Sequence, residues 1–156
     1  MLGRFPASSD TAMGKLPLLF LPALLSACAG PLPAHDPQLA WVDLYTQPAN
    51  TLLAERLDKQ VLRDGRFFQV PPGKHELEVR YQYEIPGGGG GGLAMSDNTT
   101  QITCRVRLTY DNFAPGQRYR LEVRPQLRKA LALLTDANGQ LVAKTDFQGR
   151  MDCGLF

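Results

Sequence analysis

Several features that would point to chemistry are scarce in this chain. Among its 156 residues are three cysteines, two histidines and one tryptophan. No cysteine pair has Cys-x-x-Cys spacing and no histidine pair has His-x-x-x-His spacing, so no metal site is expected. His35 and His75 lie far apart, and no serine or cysteine stands with a base and an orienting group, so no nucleophilic set is expected. No apolar run approaches the roughly 20 residues that a helix needs to cross a bilayer. A large charge of one sign is also missing. Lys and Arg total 17 against 15 Asp and Glu, so no field steers nucleic acid toward the chain. No cofactor is implied. Glu76 and Glu78 alternate on the polar side of one strand pattern and read as surface charges.

What is present is uneven. The run Leu16 to Leu25 is apolar, follows Lys15, contains Pro17 and Pro22, and ends in Leu25-Ser26-Ala27-Cys28. A charged start, a short apolar middle and small residues at the cut form a secretory signal. Proline inside the run costs a helix about 3 kcal/mol, which argues against a stable buried helix. The last four residues resemble the lipobox of bacterial lipoproteins: an aliphatic residue, two small ones and cysteine. That resemblance covers only the leader. It implies removal of residues 1–27 and acylation of Cys28, hence anchoring through acyl chains rather than a spanning helix. Residues 1–12 are polar, and Met13-Gly14-Lys15 opens a compact leader, so Met13 is the expected start. No aspartate follows Cys28, which under the family's sorting rule implies the outer membrane, facing the periplasm.

With Cys28 lipidated, Cys104 and Cys153 remain as an even pair in an oxidising compartment, and a disulfide between them is expected. Residues 28–37 hold three prolines after the cysteine and read as an extended, solvated tether in which His35 has no partner. The domain proper is expected over 38–156.

That domain reads as β throughout. Gln38 to Tyr45 is rich in β-favouring types. Thr51 to Asp64 has near-helical spacing at Leu52, Leu53, Leu57 and Val61, but Asp58-Lys59-Gln60 suits a turn between two short strands, and strands are favoured. After Phe67 to Val70 and the turn Pro71 to Lys74, the segment 75–83 alternates without a break. Leu77, Val79, Tyr81 and Tyr83 share one side, and Glu76, Glu78, Arg80 and Gln82 the other. Asp64-Gly65, Phe68-x-Val70 and Pro72-Gly73-x-His75-x-Leu77-x-Val79 together resemble PEGA-type β-domains over 64–79. That likeness implies a β-sandwich with a structural or binding role and carries over no catalytic residue.

Gly87 to Gly92 lacks the Gly-Lys-Ser/Thr and helix of a phosphate loop and reads as a strand connection. Ile102 to Tyr110 and Tyr119 to Arg124 alternate, and a hairpin between them is expected. Leu131 to Leu134 and Gln140 to Ala143 flank Asp136-Ala137-Asn138-Gly139, a second hairpin turn. The expected fold is therefore a small two-sheet sandwich of about seven mostly antiparallel strands.

One surface feature follows. Arg105, Arg107, Arg118, Arg120 and Arg124 fall on the polar faces of the first predicted hairpin. They form a strip suited to phosphate or carboxylate, such as lipid A, peptidoglycan or an acidic envelope protein. The competing reading is a solvated, internally paired face. The expected function is a non-enzymatic envelope lipoprotein, a structural or accessory module that binds a protein or an envelope polymer. The alternative is a small-ligand or glycan binder that uses Trp41 and tyrosines for stacking.

Overall fold

The computed structural model describes residues 30–86, 99–145 and 151–154. The leader, Cys28 and Gly87–Gly92 lie outside them. Two compact units divide the chain, Met1–Pro33 and Ala34–Phe156. In the first, residues 30–33 have no regular structure and Leu32 is exposed.

The second unit is all β, with two five-stranded sheets. The strands are β1 (Ala40–Thr46), β2 (Thr51–Leu57), β3 (Gln60–Val61), β4 (Phe67–Val70), β5 (Gly73–Pro86), β6 (Thr99–Phe113), β7 (Arg118–Gln126), β8 (Lys129–Thr135), β9 (Leu141–Lys144) and β10 (Met151–Gly154). One sheet runs β4-β1-β7-β8-β9 and the other β10-β6-β5-β2-β3. Among the described residues only the β1–β7 pairing is parallel. The β5–β6 ladder is the longest, from Gly73 opposite Phe113 to Pro86 opposite Thr99.

Alternation decides which residues fill the space between the sheets. Leu77, Val79, Tyr81 and Tyr83 of β5 are buried, as are Ile102, Cys104, Val106 and Leu108 of β6. From the other sheet come Val42, Phe68, Val70, Leu121, Val123, Ala132 and Leu134. The two buried tyrosines keep their hydroxyls satisfied. Tyr81 Oη accepts from Asn50 Nδ2 at 2.8 Å. Tyr83 Oη donates to the carbonyls of Leu127 at 2.9 Å and Lys129 at 3.2 Å. Partnering of this kind removes the penalty for burying a polar group.

The ambiguous 51–64 segment is a strand, a turn and a strand. Asp58 and Lys59 have φ of 48° and 69°, the positive pair of a two-residue I′ hairpin loop. A bulge between Ala54 and Arg56 inserts one residue into β2. Leu52, Ala54 and Leu57 thus all face the core, which is why the spacing looks half-helical.

Ten strands stand among the described residues, with β10 formed by 151–154. Two expectations need correction. His35, expected to have no partner, lies in the second unit and is half-buried: its Nε2 is 3.0 Å from the Leu39 carbonyl, and its ring edge meets Trp41 at 5.7 Å. His35 is therefore docked on the domain rather than solvated in a tether. Finally, β6 and β7 do not form a hairpin. β5 occupies one edge of β6 and β10 the other, so β7 has no edge to join and crosses to pair with β1 and β8. The crossing, 114–117, turns on Gly116 (φ 70°), where an added Cβ would meet the Pro37 carbonyl at 3.3 Å. Tyr119 braces it: its Oη accepts from the Ala114 amide at 3.1 Å, and its ring packs edge-on against Tyr110 and Phe113.

Candidate functional site

Because β6 and β7 lie in opposite sheets, the predicted arginine strip is divided between two outward faces. Arg105 and Arg107 are on the β6 face. There Glu78, only 9% exposed, accepts from Arg56 and lies 3.4 Å from Arg107. Arg107 also reaches Asp152 of β10 at 3.1 Å, and Arg105 lies 3.4 Å from Glu55. This face is a lattice of alternating charge across β2, β5, β6 and β10. Arg56, Arg105 and Arg107 are paired there with the protein's own carboxylates.

Arg118, Arg120 and Arg124 project from the outer face of β7, beside Trp41, Asp43 and Tyr45 of β1. The parallel register sets Trp41 opposite Arg118, Asp43 opposite Arg120 and Tyr45 opposite Glu122. Arg118 pairs with Asp43 at 3.1 Å and sits 5.9 Å from the Trp41 ring centre. Arg124 donates to Glu122 at 2.7 Å. That hydrogen bond, aided by the positive charges of Arg124 and Arg120, holds the Glu122 carboxyl below its usual range against the opposing effect of burial. Arg120 differs from the other two. Its guanidinium lies 3.8 Å from the Tyr45 ring centre, a close cation–π stack, and among the described residues it has no carboxylate partner. Stacking occupies the flat face of the guanidinium and leaves the N–H edge to an outside acceptor. Asp43, Tyr45 and the three arginines, with Asp136, Ala137 and Gly139 of the β8–β9 turn, line a shallow groove of about 740 Å³.

Trp41 is not a stacking platform. It is 3% exposed, lies flat on Phe67 at 4.3 Å, and donates its indole N–H to Asp43 at 2.7 Å. Of the aromatic groups that the glycan reading needs, Tyr81 and Tyr83 are in the core, and exposed Tyr45 is covered by Arg120.

Cys104 and Cys153 are bonded, with an S–S distance of 2.03 Å, and stand opposite each other in the β6–β10 register. Cys28 lies outside the described residues.

Two features escaped the sequence reading. One is a carboxylate–imidazole pair, Asp58 Oδ2 to His75 Nδ1 at 2.6 Å, which forms because Leu57 stands opposite Leu77 in the β2–β5 register. The other is the β7–β8 tip, where Leu127 is 92% exposed. Its one sequence signal is a leucine among Gln126, Arg128 and Lys129, in the break between two alternating runs. Among the described residues, no three His, Cys, Asp or Glu side chains converge as a metal site.

No protein-family model, curated protein or solved structure matches this chain.

Proposed function

We propose that this chain is a bacterial envelope lipoprotein, anchored through acylated Cys28 at the outer membrane and facing the periplasm. It acts without catalysis as a structural or accessory module that binds an envelope protein or an anionic polymer. The observation that carries this reading is the lipobox Leu25-Ser26-Ala27-Cys28 behind a short, proline-interrupted apolar run. The disulfide adds support, since such bonds persist in oxidising compartments.

The β1–β7 face is the better binding surface of the two charged faces. Arg120 stacks on Tyr45 with its N–H edge left for a carboxylate or phosphate, whereas Arg105 and Arg107 are already ion-paired with Glu55, Glu78 and Asp152.

Labelled palmitate fed to cells tests the anchor. The parent takes up label and pellets with membranes, and Cys28→Ala does neither; equal labelling of the two overturns the reading. Crosslinked recovery from envelopes tests the face. Arg120→Glu lowers recovery of the bound partner, and rising salt lowers it for the parent as the Debye length shortens. Recovery indifferent to both excludes this surface.

A further inference from the structure

We propose that the β7–β8 hairpin tip is a contact point for an anionic lipid surface, with Leu127 entering the headgroup region and Arg128 and Lys129 holding phosphates beside it. The proposal rests on the reading that the chain works at a membrane. It adds a second contact that needs no acyl chain.

Four observations lead to it. Gln126 pairs with Lys129, so Leu127-Arg128 is a two-residue loop. Its first residue, Leu127, has φ of 54° and Arg128 is not in the left-handed region, the II′ pattern in which glycine is the ordinary occupant. A bulky residue there is uncommon, and such outliers concentrate where a side chain is used. The leucine gains nothing from the fold, because it is 92% exposed, the highest of the exposed large apolar residues.

The tip is nevertheless held in place from within. Tyr83, 3% exposed on the opposite sheet, donates its hydroxyl to the carbonyls on both sides of the loop, Leu127 at 2.9 Å and Lys129 at 3.2 Å. A presented side chain on a fixed backbone loses less entropy on contact than one on a loose loop.

The charge around it selects the occupant. Arg128 and Lys129 are exposed and, among the described residues, neither has a carboxylate partner. Glu122, on the outward face of the neighbouring strand, is taken by Arg124. A single convex apolar residue beside two cations with no carboxylate partner among the described residues matches a headgroup layer, which offers anionic charge over apolar depth. Each cation near such a surface contributes roughly a fivefold gain, and burial of the leucine more than roughly tenfold. A contact of this strength orients a chain already at the membrane.

The test uses Leu127→Trp as a reporter in the full chain, with Ala137→Trp, at the tip of the β8–β9 turn, as control. Trp41 is packed against Phe67 and supplies a constant background measured in the parent. With vesicles of phosphatidylglycerol and phosphatidylcholine carrying brominated acyl chains, the Leu127→Trp emission shifts to shorter wavelength and is quenched, and the Ala137→Trp emission is not. Adding Arg128→Glu and Lys129→Glu lowers the lipid dependence by roughly tenfold or more, as does use of phosphatidylcholine alone.

Quenching that is equal at the two positions, or that survives charge reversal, overturns the proposal. So does an emission shift that requires envelope protein and is absent with lipid, which would assign the tip to a protein partner. The same reporter read in a Cys28→Ala chain separates the tip from the anchor. Quenching persists there at higher lipid concentration if the tip acts by itself, and its loss overturns an independent contact, whereas flotation of the parent reports the anchor. Leu127→Gly keeps or raises the melting temperature, because glycine suits that φ; a fall of several degrees would show that the leucine serves the fold and overturn its assignment to lipid.

Discussion

Asp58 shows how much one side chain at a turn can organise. Its positive φ comes from its place in the β2–β3 loop, and its carboxylate then closes onto β5. Oδ1 accepts from the Glu76 amide at 2.9 Å, Oδ2 meets His75 Nδ1 at 2.6 Å, and the Asp58 amide donates to the Glu76 carbonyl at 2.9 Å. Desolvation raises the carboxyl's pKa, but the Glu76 amide and the hydrogen bond and charge of His75 outweigh it, leaving the group below its ordinary 3.8. A carboxyl depressed in the folded state stabilises above the unfolded value, and that contribution disappears as pH falls through the folded one. The window is therefore acidic, below about pH 4–5. Because the side chain is 47% exposed, solvent reduces the effect. Urea unfolding from pH 5 to pH 2 checks this: the parent loses stability across the range, and Asp58→Asn starts less stable at pH 5 and loses less on acidification. Parallel pH curves would show that the pair contributes nothing. The alternation of 75–83 and the turn at 58–60 were both legible in the sequence. The contact between Asp58 and His75 was not, because it depends on a β2–β5 register that a bulge displaces.

At the scale of elements, β10 is the strand that depends most on a covalent link. It has four residues and, among the described residues, pairs with β6 alone, so its hydrogen bonds and packing are few. The Cys104–Cys153 bond fixes it at a sequence separation of 49. Closing a loop of that size stabilises by about 4 kcal/mol in the chain-entropy treatment. Replacing both cysteines with alanine is expected to cost about that much in denaturant unfolding. Hydrogen exchange then shows where the loss falls: the amides of Asp152 to Gly154 lose protection before those in the middle of β5. Uniform loss across both sheets would mean that the bond holds the whole sandwich rather than its edge. The cysteine pairing was legible because Cys104 falls on the apolar side of an alternating strand and the inferred compartment is oxidising. The strand around Cys153 was not, since Met151-Asp152-Cys153-Gly154 is too short to show a period. The same limit applies to β2, where one inserted residue disguises an inward strand as half a helix.

For the whole molecule, the decisive event is the passage of the chain from β6 to β7. Local pattern cannot distinguish a hairpin from a crossing between sheets, because both present two alternating strands about a glycine-containing turn. The choice depends on whether β6 has an edge to spare, and β5 and β10 together remove it. With the crossing, the inward faces of β6 and β7 share one core and their outward arginines point away from each other. Fold class and strand faces were therefore readable from sequence, while the unity of the arginine strip was not. Sheets in a sandwich lie about 10 Å apart, and outward side chains extend that distance on both sides. Spin labels introduced by Arg107→Cys and Arg120→Cys should consequently report a separation above about 20 Å, where a shared hairpin would hold them much closer. A short distance would return both residues to one face and with it a single binding strip. A long one means that no small anionic ligand spans both sets, so charge reversal at Arg120 lowers binding and charge reversal at Arg107 leaves it unchanged. The partner would then engage the Tyr45–Arg120 side without disturbing the ion pairs of Glu78, which hold β2, β5 and β6 together on the other.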